Sequence, residues 1–301
     1  MHHGLLRLVL ICGLFAVPML PSLAQDYGDT PYVQTPQVVV DKMLEMAKVS
    51  AKDFLIDLGS GDGRLIITAA KKYGARGFGV DLNKSLVTLA NRNAAKAGVA
   101  NRAVFYEQDL HDTDITKADV LTIYLLPEVN LMVRSRILDL KPGTRLVSHD
   151  YGFGEWPPDV EIVMDAPGKP VGRDQKSKVM FWVVPTRAAG KWVWTGPGAA
   201  AGQFYELQLD QAFQKITGTV GLAGRTAKIE DAVLTGEHIA FAVTLPEGGK
   251  PVRYTFSGKV INNAIAGEMR RGNDKPEAWN ATRTELREAR MTDLKPGVMA
   301  R

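Results

Sequence analysis

Hydrophobic residues between positions 36 and 186 follow two alternating spacings. Compact apolar runs typical of buried strands lie at 53–58, 77–81, 103–107, 118–124 and 144–149. Between them, apolar residues recur every three or four positions, which predicts helices at 36–48, 62–73, 83–97 and 128–139. Segments 160–166 and 178–185 are predicted to be a closing pair of strands. This order predicts an α/β fold with a doubly wound sheet.

Beyond residue 187 the chain has the period of two that is typical of strands, with glycines and turn residues between short runs. The predicted strands are 192–194, 204–209, 213–220, 228–234, 239–245, 252–256, 261–269 and 279–282. A smaller all-β meander or barrel-like domain is expected, either as a structural appendage or as a ligand-binding barrel. The predicted domains are 25–186 and 187–290, followed by a tail at 291–301.

The stretch 53–65 (DFLIDLGSGDGRL) predicts a strand, a tight turn and a helix start. Gly59, Gly61 and Gly63 allow positive φ and a close approach to a ligand. The free N–H groups of the helix start are expected to point into the same space. Carboxylates at Asp57 and Asp62 would repel a pyrophosphate. They suit a ligand that carries an amine and a sulfonium, which describes S-adenosylmethionine.

Two further acids follow the next predicted strands. Asp81 ends the second strand, where a ribose diol would lie within reach, and Asp109 follows the third. Because parallel strands end at one edge of a sheet, Asp57, Asp81 and Asp109 are expected to form one site.

This spacing resembles class I S-adenosylmethionine-dependent methyltransferases, which have a Rossmann-like seven-strand sheet with an antiparallel last strand, over roughly residues 30 to 186. The resemblance implies that Asp57 and the loop bind the methionine part, that Asp81 binds the ribose, and that Asp109 lies near the adenine. The implied loop residues are Gly59, Ser60, Gly61 and Gly63.

Further motifs narrow the resemblance to lysine methyltransferases. Segments 124–130 (YLLPEVN) and 140–148 (LKPGTRLVS) resemble the non-SET nucleosomal enzymes. The glycine-rich loop, 31–36 (PYVQTP) and 156–159 (WPPD) look like the ATP synthase c-subunit and adenine nucleotide translocase lysine methyltransferases. In that group the 31–36 segment precedes the core near the cofactor. Tyr32 is therefore a candidate pocket residue, or it packs under the first helix.

Methyl transfer to an amine requires alignment and exclusion of water more than a general base. Tyr124, Pro127 and Glu128, just past the fourth strand, are the acceptor-side candidates. Glu128 would guide a lysine ammonium or serve only as a first-turn acid of the next helix. No residue is assigned as catalytic. No Cys/His cluster has metal-ligand spacing, so no bound metal is expected.

The first 24 residues have the pattern of a signal peptide. An apolar stretch at 5–20 follows a short basic start with Arg7, and Ser22-Leu23-Ala24 fits a cleavage site. We expect an exported, periplasmic protein; the alternative is an uncleaved membrane anchor. Export would separate the enzyme from the cytoplasm, where S-adenosylmethionine is made.

The charge of the chain is unevenly distributed. The formal net charge is +4, and the basic excess lies beyond residue 186, with 16 basic against 12 acidic residues. Cations crowd the last part of the β domain, at Arg270, Arg271, Lys275, Arg283, Arg287 and Arg290. They form a solvated face or attract a membrane surface or an envelope protein. Nucleic acid is not an expected partner.

The sequence therefore predicts an S-adenosylmethionine-dependent enzyme that methylates a protein side chain, with lysine as the expected acceptor. A small-molecule methyltransferase and a non-catalytic exported binding protein that reuses the fold are the alternatives.

Overall fold

The computed structural model describes residues 32–196 and 202–291. The predicted signal peptide at 1–24 lies outside these residues, and the described helices include none with the length and hydrophobicity needed to span a bilayer. The helices are α1 (Gln37–Met46), α2 (Arg64–Thr68), α3 (Lys84–Lys96) and α4 (Pro127–Leu138), and a π-helical turn (Ala69–Tyr73) continues α2.

The first sheet has seven strands. They are β1 (Phe54–Leu58), β2 (Arg76–Asp81), β3 (Ala103–Glu107), β4 (Val120–Ile123), β5 (Arg145–His149), β6 (Val160–Asp165) and β7 (Lys176–Val183). Their order is β3-β2-β1-β4-β5-β7-β6. Strands β1 to β5 run parallel, β7 is antiparallel to β5, and β6 is antiparallel to β7, so β7 alone is reversed in this sheet. Every residue of β4 is buried, as expected for a central strand covered on both faces. The predicted doubly wound α/β fold is confirmed.

The second sheet has nine antiparallel strands. They are β8 (Gly190–Thr195), β9 (Phe204–Ala212), β10 (Lys215–Leu222), β11 (Arg225–Lys228), β12 (Glu230–Thr235), β13 (His238–Glu247), β14 (Lys250–Ile261), β15 (Ala264–Arg271) and β16 (Glu277–Leu286). The order is β11-β10-β9-β8-β16-β15-β14-β13-β12, so the two edge strands β11 and β12 are joined by Ile229 alone. A sheet whose edges meet in this way must curl like a barrel.

Large aromatic side chains fill the inside of the curled sheet. Phe256 stacks on Phe241 with ring centroids 4.8 Å apart and meets Trp279 edge to face at 5.1 Å. Trp194 stacks on Tyr205 at 5.2 Å. This packing favours a structural appendage over a ligand-binding barrel.

The two sheets pack against each other through the turn between β9 and β10. Phe213 stacks on Trp156 with centroids 6.2 Å apart, and Trp156 Nε1 donates to Gln214 Oε1 over 3.1 Å. Gln214 Nε2 donates in turn to the Pro157 carbonyl over 2.6 Å. The described part of Val33–Arg301 is accordingly one compact unit. The domain boundary at 186/187, which falls between β7 and β8, stays a prediction.

The second helix differs from its prediction. The sequence pattern predicts one helix over 62–73, but α2 begins at Arg64 and becomes π-helical from Ala69. Gly63, with φ +82°, caps α2 from the left-handed region, so the helix cannot extend back to Asp62.

Candidate active site

The three predicted acids lie along one edge of the seven-stranded sheet, at the carboxyl ends of its parallel strands. Asp57 is the last residue but one of β1, Asp81 ends β2, and Asp109 follows β3 by two residues. Because the strand order is β3-β2-β1-β4, the acids succeed one another along this edge. Ligands of open α/β sheets bind at this edge.

Asp57 is 2% exposed, and the carboxylates of Asp81 and Asp62 lie close enough to act on its charge. Thr122 of the neighbouring strand β4 donates its hydroxyl to Asp57 Oδ1 over 2.6 Å. Burial raises the pKa of Asp57 to about 7, with smaller contributions from the Asp81 and Asp62 carboxylates, while the Thr122 hydrogen bond opposes the rise. A bound cation would favour the charged form, so this buried acid suits an ammonium ligand.

The glycine-rich loop supplies shape rather than hydrogen-bond donors. Gly59 N and Ser60 N both donate to the Val80 carbonyl over 2.9 Å, and Gly61 N donates to Asp81 Oδ2 over 2.9 Å. Gly63 N donates to the Ser60 carbonyl over 2.9 Å. These four loop N–H groups are already bonded to the end of β2 and to the loop itself. The predicted free N–H groups belong to the helix start, which lies beyond them at Arg64, and their pointing at a ligand stays a prediction.

Asp81 holds the loop as well as facing the site. Its second carboxylate oxygen accepts from Asn83 N over 2.9 Å, at the cap of α3. Each carboxylate oxygen can accept a further bond from a ligand. A sequence cannot reveal this structural role, because Gly61 and Asp81 are brought together only by the pairing of β1 with β2.

Close packing around the loop explains two of the glycines in this region. A Cβ on Gly63 would lie 2.5 Å from Phe105 Cζ. A Cβ on Gly79 would lie 2.4 Å from Ser60 Cβ, so the buried Ser60 side chain packs over β2. Ser60 Oγ has no hydrogen-bond partner among the described residues. The cofactor-binding role of Ser60 stays a prediction.

The segment before α1 crosses the same edge. Gln34 Nε2 donates to Asp62 Oδ2 over 3.1 Å, and Arg64 Nη1 donates to the Thr35 carbonyl over 2.5 Å. Arg64 also pairs with Asp62 at 2.6 Å. This pairing neutralises Asp62, whereas Asp57 and Asp81 pair with no cation among the described residues. Sequence reasoning missed Gln34 and Thr35, although the 31–36 motif contains them.

Tyr32 and Asp109 remain less defined candidates. Tyr32 is 44% exposed. Asp109 is half-buried, and its Oδ1 accepts from His111 N over 2.8 Å, which shapes the turn after β3. Their roles toward a cofactor stay predictions.

Aromatic rings and a carboxylate gather beyond β4 and β5. The Tyr124 ring lies over the His149 imidazole with centroids 4.0 Å apart, and Tyr151 lies nearly parallel to it at 6.3 Å. Tyr124 OH donates to Asp150 Oδ2 over 3.3 Å. Burial, followed by the Asp150 carboxylate, raises the pKa of Tyr124, so its hydroxyl stays protonated. Tyr124 and Tyr151 thus place aromatic rings beside the Asp150 carboxylate.

His149 is fully buried under Tyr124 and is not poised as a base. Its Nδ1 shares a hydrogen bond of 3.2 Å with Thr35 Oγ1, and its Nε2 shares one of 2.8 Å with Ser177 Oγ. Burial lowers the pKa of His149 to about 4, against the opposing effect of Asp150. The ring is therefore neutral near pH 7 and supports Tyr124.

The other acceptor-side candidates begin α4. Pro127 is the first residue of that helix and Glu128 lies in its first turn, where an acid stabilises the helix N-terminus. Glu128 is exposed, so the alternative role of a helix-terminal acid fits it. Asn130, which is fully buried, donates from Nδ2 to the Tyr151 and Gly152 carbonyls over 3.2 Å and holds the segment after β5.

The predicted basic cluster is partly neutralised within the second sheet. Arg271 pairs with Glu247, and Arg287 pairs with Asp210 at 3.4 Å. Arg283 lies 4.4 Å over the Trp192 ring. These cations contribute to the β domain itself. Within residues 32–196 and 202–291, no group of three or more His, Cys, Asp or Glu side chains is arranged to hold a metal.

Comparison with known proteins identifies methyltransferases as relatives of this chain. Residues 57–160 match the model of the ANTKMT methyltransferase domain. A protein-lysine N-methyltransferase of Saccharolobus islandicus is 45% identical over 137 residues, which are 45% of this chain and 85% of the relative. The human lysine N-methyltransferase of the ATP synthase c-subunit is 32% identical over 146 residues, 48% of this chain and 60% of the relative.

A second mammalian enzyme and a solved structure are also similar to part of the chain. The mouse adenine nucleotide translocase lysine N-methyltransferase is 30% identical over 130 residues, 42% of this chain and 56% of the relative. The chain thus spans less than two thirds of the human and mouse proteins. A solved structure described as an RNA methyltransferase from Salinibacter ruber in complex with S-adenosyl-L-homocysteine is 45% identical, with a TM-score of 0.46, 51% of this chain covered and 94% of that one.

Proposed function

Because the chain belongs to the ANTKMT methyltransferase family, we propose that it transfers a methyl group from S-adenosylmethionine to a lysine side chain of a protein. The observation that carries the proposal is the row of acids at the carboxyl edge of the seven-stranded sheet. The enzyme class follows from the family, and the lysine acceptor is inferred from the names of the relatives.

The donor site is suited to a cationic ligand without phosphate. The buried Asp57 carboxylate would accept from the ammonium of the methionine part, and Asp81 would accept from the ribose hydroxyls. Asp109 would lie near the adenine. Gly59 and Gly63, both with positive φ, let the loop turn tightly beside the ligand.

The ligand, when bound, supplies an activated methyl group on a sulfonium. The protein then has to orient the acceptor amine, keep water away and receive the amine without its proton. Tyr124, whose ring rests on the buried His149, offers a fixed apolar wall for an alkyl chain. Both His149 nitrogens are engaged, by Thr35 and Ser177, so His149 is not assigned as a base.

We also propose that the protein is exported, on the signal-peptide pattern of residues 1–24, which lie outside the described residues. A reporter fused after residue 40 that is active only in the periplasm tests this. An inactive reporter in an expressed fusion would contradict export, and an uncleaved membrane-bound fusion would indicate the anchor instead. For the basic C-terminal part, we propose no more than electrostatic attraction to an acidic envelope surface, since Arg271, Arg283 and Arg287 have partners within the fold.

The acceptor class can be tested with labelled donor. The full chain is incubated with S-adenosyl-[methyl-³H]methionine and, in parallel, with protein, RNA and small-molecule fractions from its source. We expect label in protein, recovered after acid hydrolysis as Nε-methyllysine. Label in RNA or in small molecules would contradict the lysine proposal.

One variant tests whether the transfer depends on the donor site, and a second variant is its control. Asp81→Asn should abolish the label, because Asn has only one side-chain oxygen. It cannot accept from both Gly61 N and Asn83 N as the two oxygens of Asp81 do. Asp112→Asn changes an exposed acid of the segment after β3 and should transfer like the parent chain. Equal transfer by both variants would contradict the assigned donor site.

A further inference from the structure

A lysine of the chain itself reaches the acceptor side of the site. Lys169 lies on the loop between β6 and β7, and its side chain is only 9% exposed. Its Nζ lies 2.7 Å from Asp150 Oδ2 and donates to the Lys176 carbonyl over 2.6 Å. Lysine is almost never this buried without a specific partner, because its ammonium is strongly hydrated.

Asp150 is held in place to receive that ammonium. It follows β5 with φ +60°, and its Oδ1 accepts from Lys178 N over 3.0 Å. Its Oδ2 accepts from Tyr124 OH as well as from Lys169. One carboxylate oxygen therefore joins the lysine to the aromatic wall proposed for the acceptor.

Another lysine of the same hairpin, Lys178, is exposed as lysines usually are. Lys178 pairs with Glu161 at 3.1 Å across the β6–β7 ladder, and both side chains are more than 40% exposed. Exposed pairs of this kind contribute little to stability. Lys169 is thus buried because it pairs with Asp150, and not because it lies on this hairpin.

We propose that Asp150 is the residue that binds the ammonium of the acceptor lysine, and that Lys169 occupies this position as an internal substitute until a substrate lysine displaces it. The inference rests on the proposed lysine methyltransferase function and adds a residue for acceptor selection. The recognised group is a primary alkyl ammonium, which has three donors for a carboxylate and a carbonyl.

The geometry also limits what Asp150 does. An amine held as an ammonium by a carboxylate has no free electron pair for the methyl group. The acceptor must therefore leave Asp150 and transfer its proton to solvent water before the neutral nitrogen reacts. Asp150 is accordingly a positioning residue, and replacing it should change the affinity for the acceptor.

The test uses a lysine side chain without a protein around it. Binding of Nα-acetyl-lysine N-methylamide to the full chain is measured by NMR titration, with and without saturating S-adenosylhomocysteine. The variants are Lys169→Gln, the matched control Lys178→Gln, and Lys169→Gln combined with Asp150→Asn. Asn tolerates the left-handed backbone at position 150, so the last variant removes charge with little strain.

We expect Lys169→Gln to bind the probe at least fivefold more tightly than the parent chain, and Lys178→Gln to bind it equally. Adding Asp150→Asn should remove the gain. The norleucine analogue of the probe, which lacks the ammonium, should not distinguish the variants. Equal probe binding by the parent chain and Lys169→Gln, including none in either, would overturn the proposal, as would a gain that survives Asp150→Asn.

The same samples separate this inference from the proposed function. S-adenosylhomocysteine binding is followed in each titration. Failure of that ligand to bind would contradict the donor site, whereas the probe series without it still tests Asp150 and Lys169.

Discussion

Replacing Asp57 with Asn should change how stability depends on pH. Asp57 has a pKa of about 7 in the folded protein against its ordinary 3.8, and burial is the main cause. Between these values the folded state binds more protons than the unfolded state. The free energy of unfolding must therefore fall as pH rises through this window and become flat above it.

The magnitude follows from the shift. The pKa of Asp57 shifts from 3.8 to about 7, and about two units of this shift lie above pH 5. Each unit corresponds to about 1.4 kcal/mol. Asp57 should therefore make the parent chain about 3 kcal/mol less stable at pH 9 than at pH 5. Asn does not titrate, but its buried NH₂ lacks an assured acceptor, which costs about 1–3 kcal/mol at every pH.

The assay is urea unfolding at pH 5, 7 and 9 without cofactor. We expect Asp57→Asn to be less stable than the parent chain at pH 5 and to gain about 3 kcal/mol relative to it by pH 9. Asp119→Asn is the control: burial opposes ionisation of Asp119, but Lys141 and the Phe54 N–H lower its pKa. Its stability difference should stay constant from pH 5 to pH 9. Parallel pH profiles of Asp57→Asn and the parent chain would refute the reasoning.

Two further substitutions test the packing around the site and between the sheets. Gly63→Ala places a Cβ 2.5 Å from Phe105 and should lower the melting temperature more than Gly98→Ala, which has the same sign of φ but open space; equal losses would contradict the steric argument. Gln214→Leu leaves Trp156 Nε1 without its acceptor and should lower the free energy of unfolding in urea by about 1–3 kcal/mol. An unchanged urea midpoint would show that this hydrogen bond does not stabilise the contact between the two sheets.

Much of the fold could be predicted because its signals are local. The apolar runs that became β1 and β4 are continuous since both faces of these strands are buried. Strands of the second sheet such as β14 alternate because one face lines the core of that sheet. The position of Asp57, Asp81 and Asp109 along one edge follows from strand direction alone.

The remaining features depend on contacts between distant residues. The Val80 carbonyl accepts hydrogen bonds from Gly59 N and Ser60 N, and no pattern within the loop indicates this. Lys169 is an unremarkable turn lysine in the sequence. Only the antiparallel β6–β7 pair places it 2.7 Å from Asp150.

Calorimetric titration of the full chain with S-adenosylmethionine and S-adenosylhomocysteine tests the central claim most directly, namely that the acidic edge of the seven-stranded sheet binds this methyl donor. We expect micromolar binding of both ligands by the parent chain and by Asp112→Asn, and a loss of at least tenfold in Asp57→Asn. No binding by a folded parent chain, or equal binding by Asp57→Asn, would contradict the account.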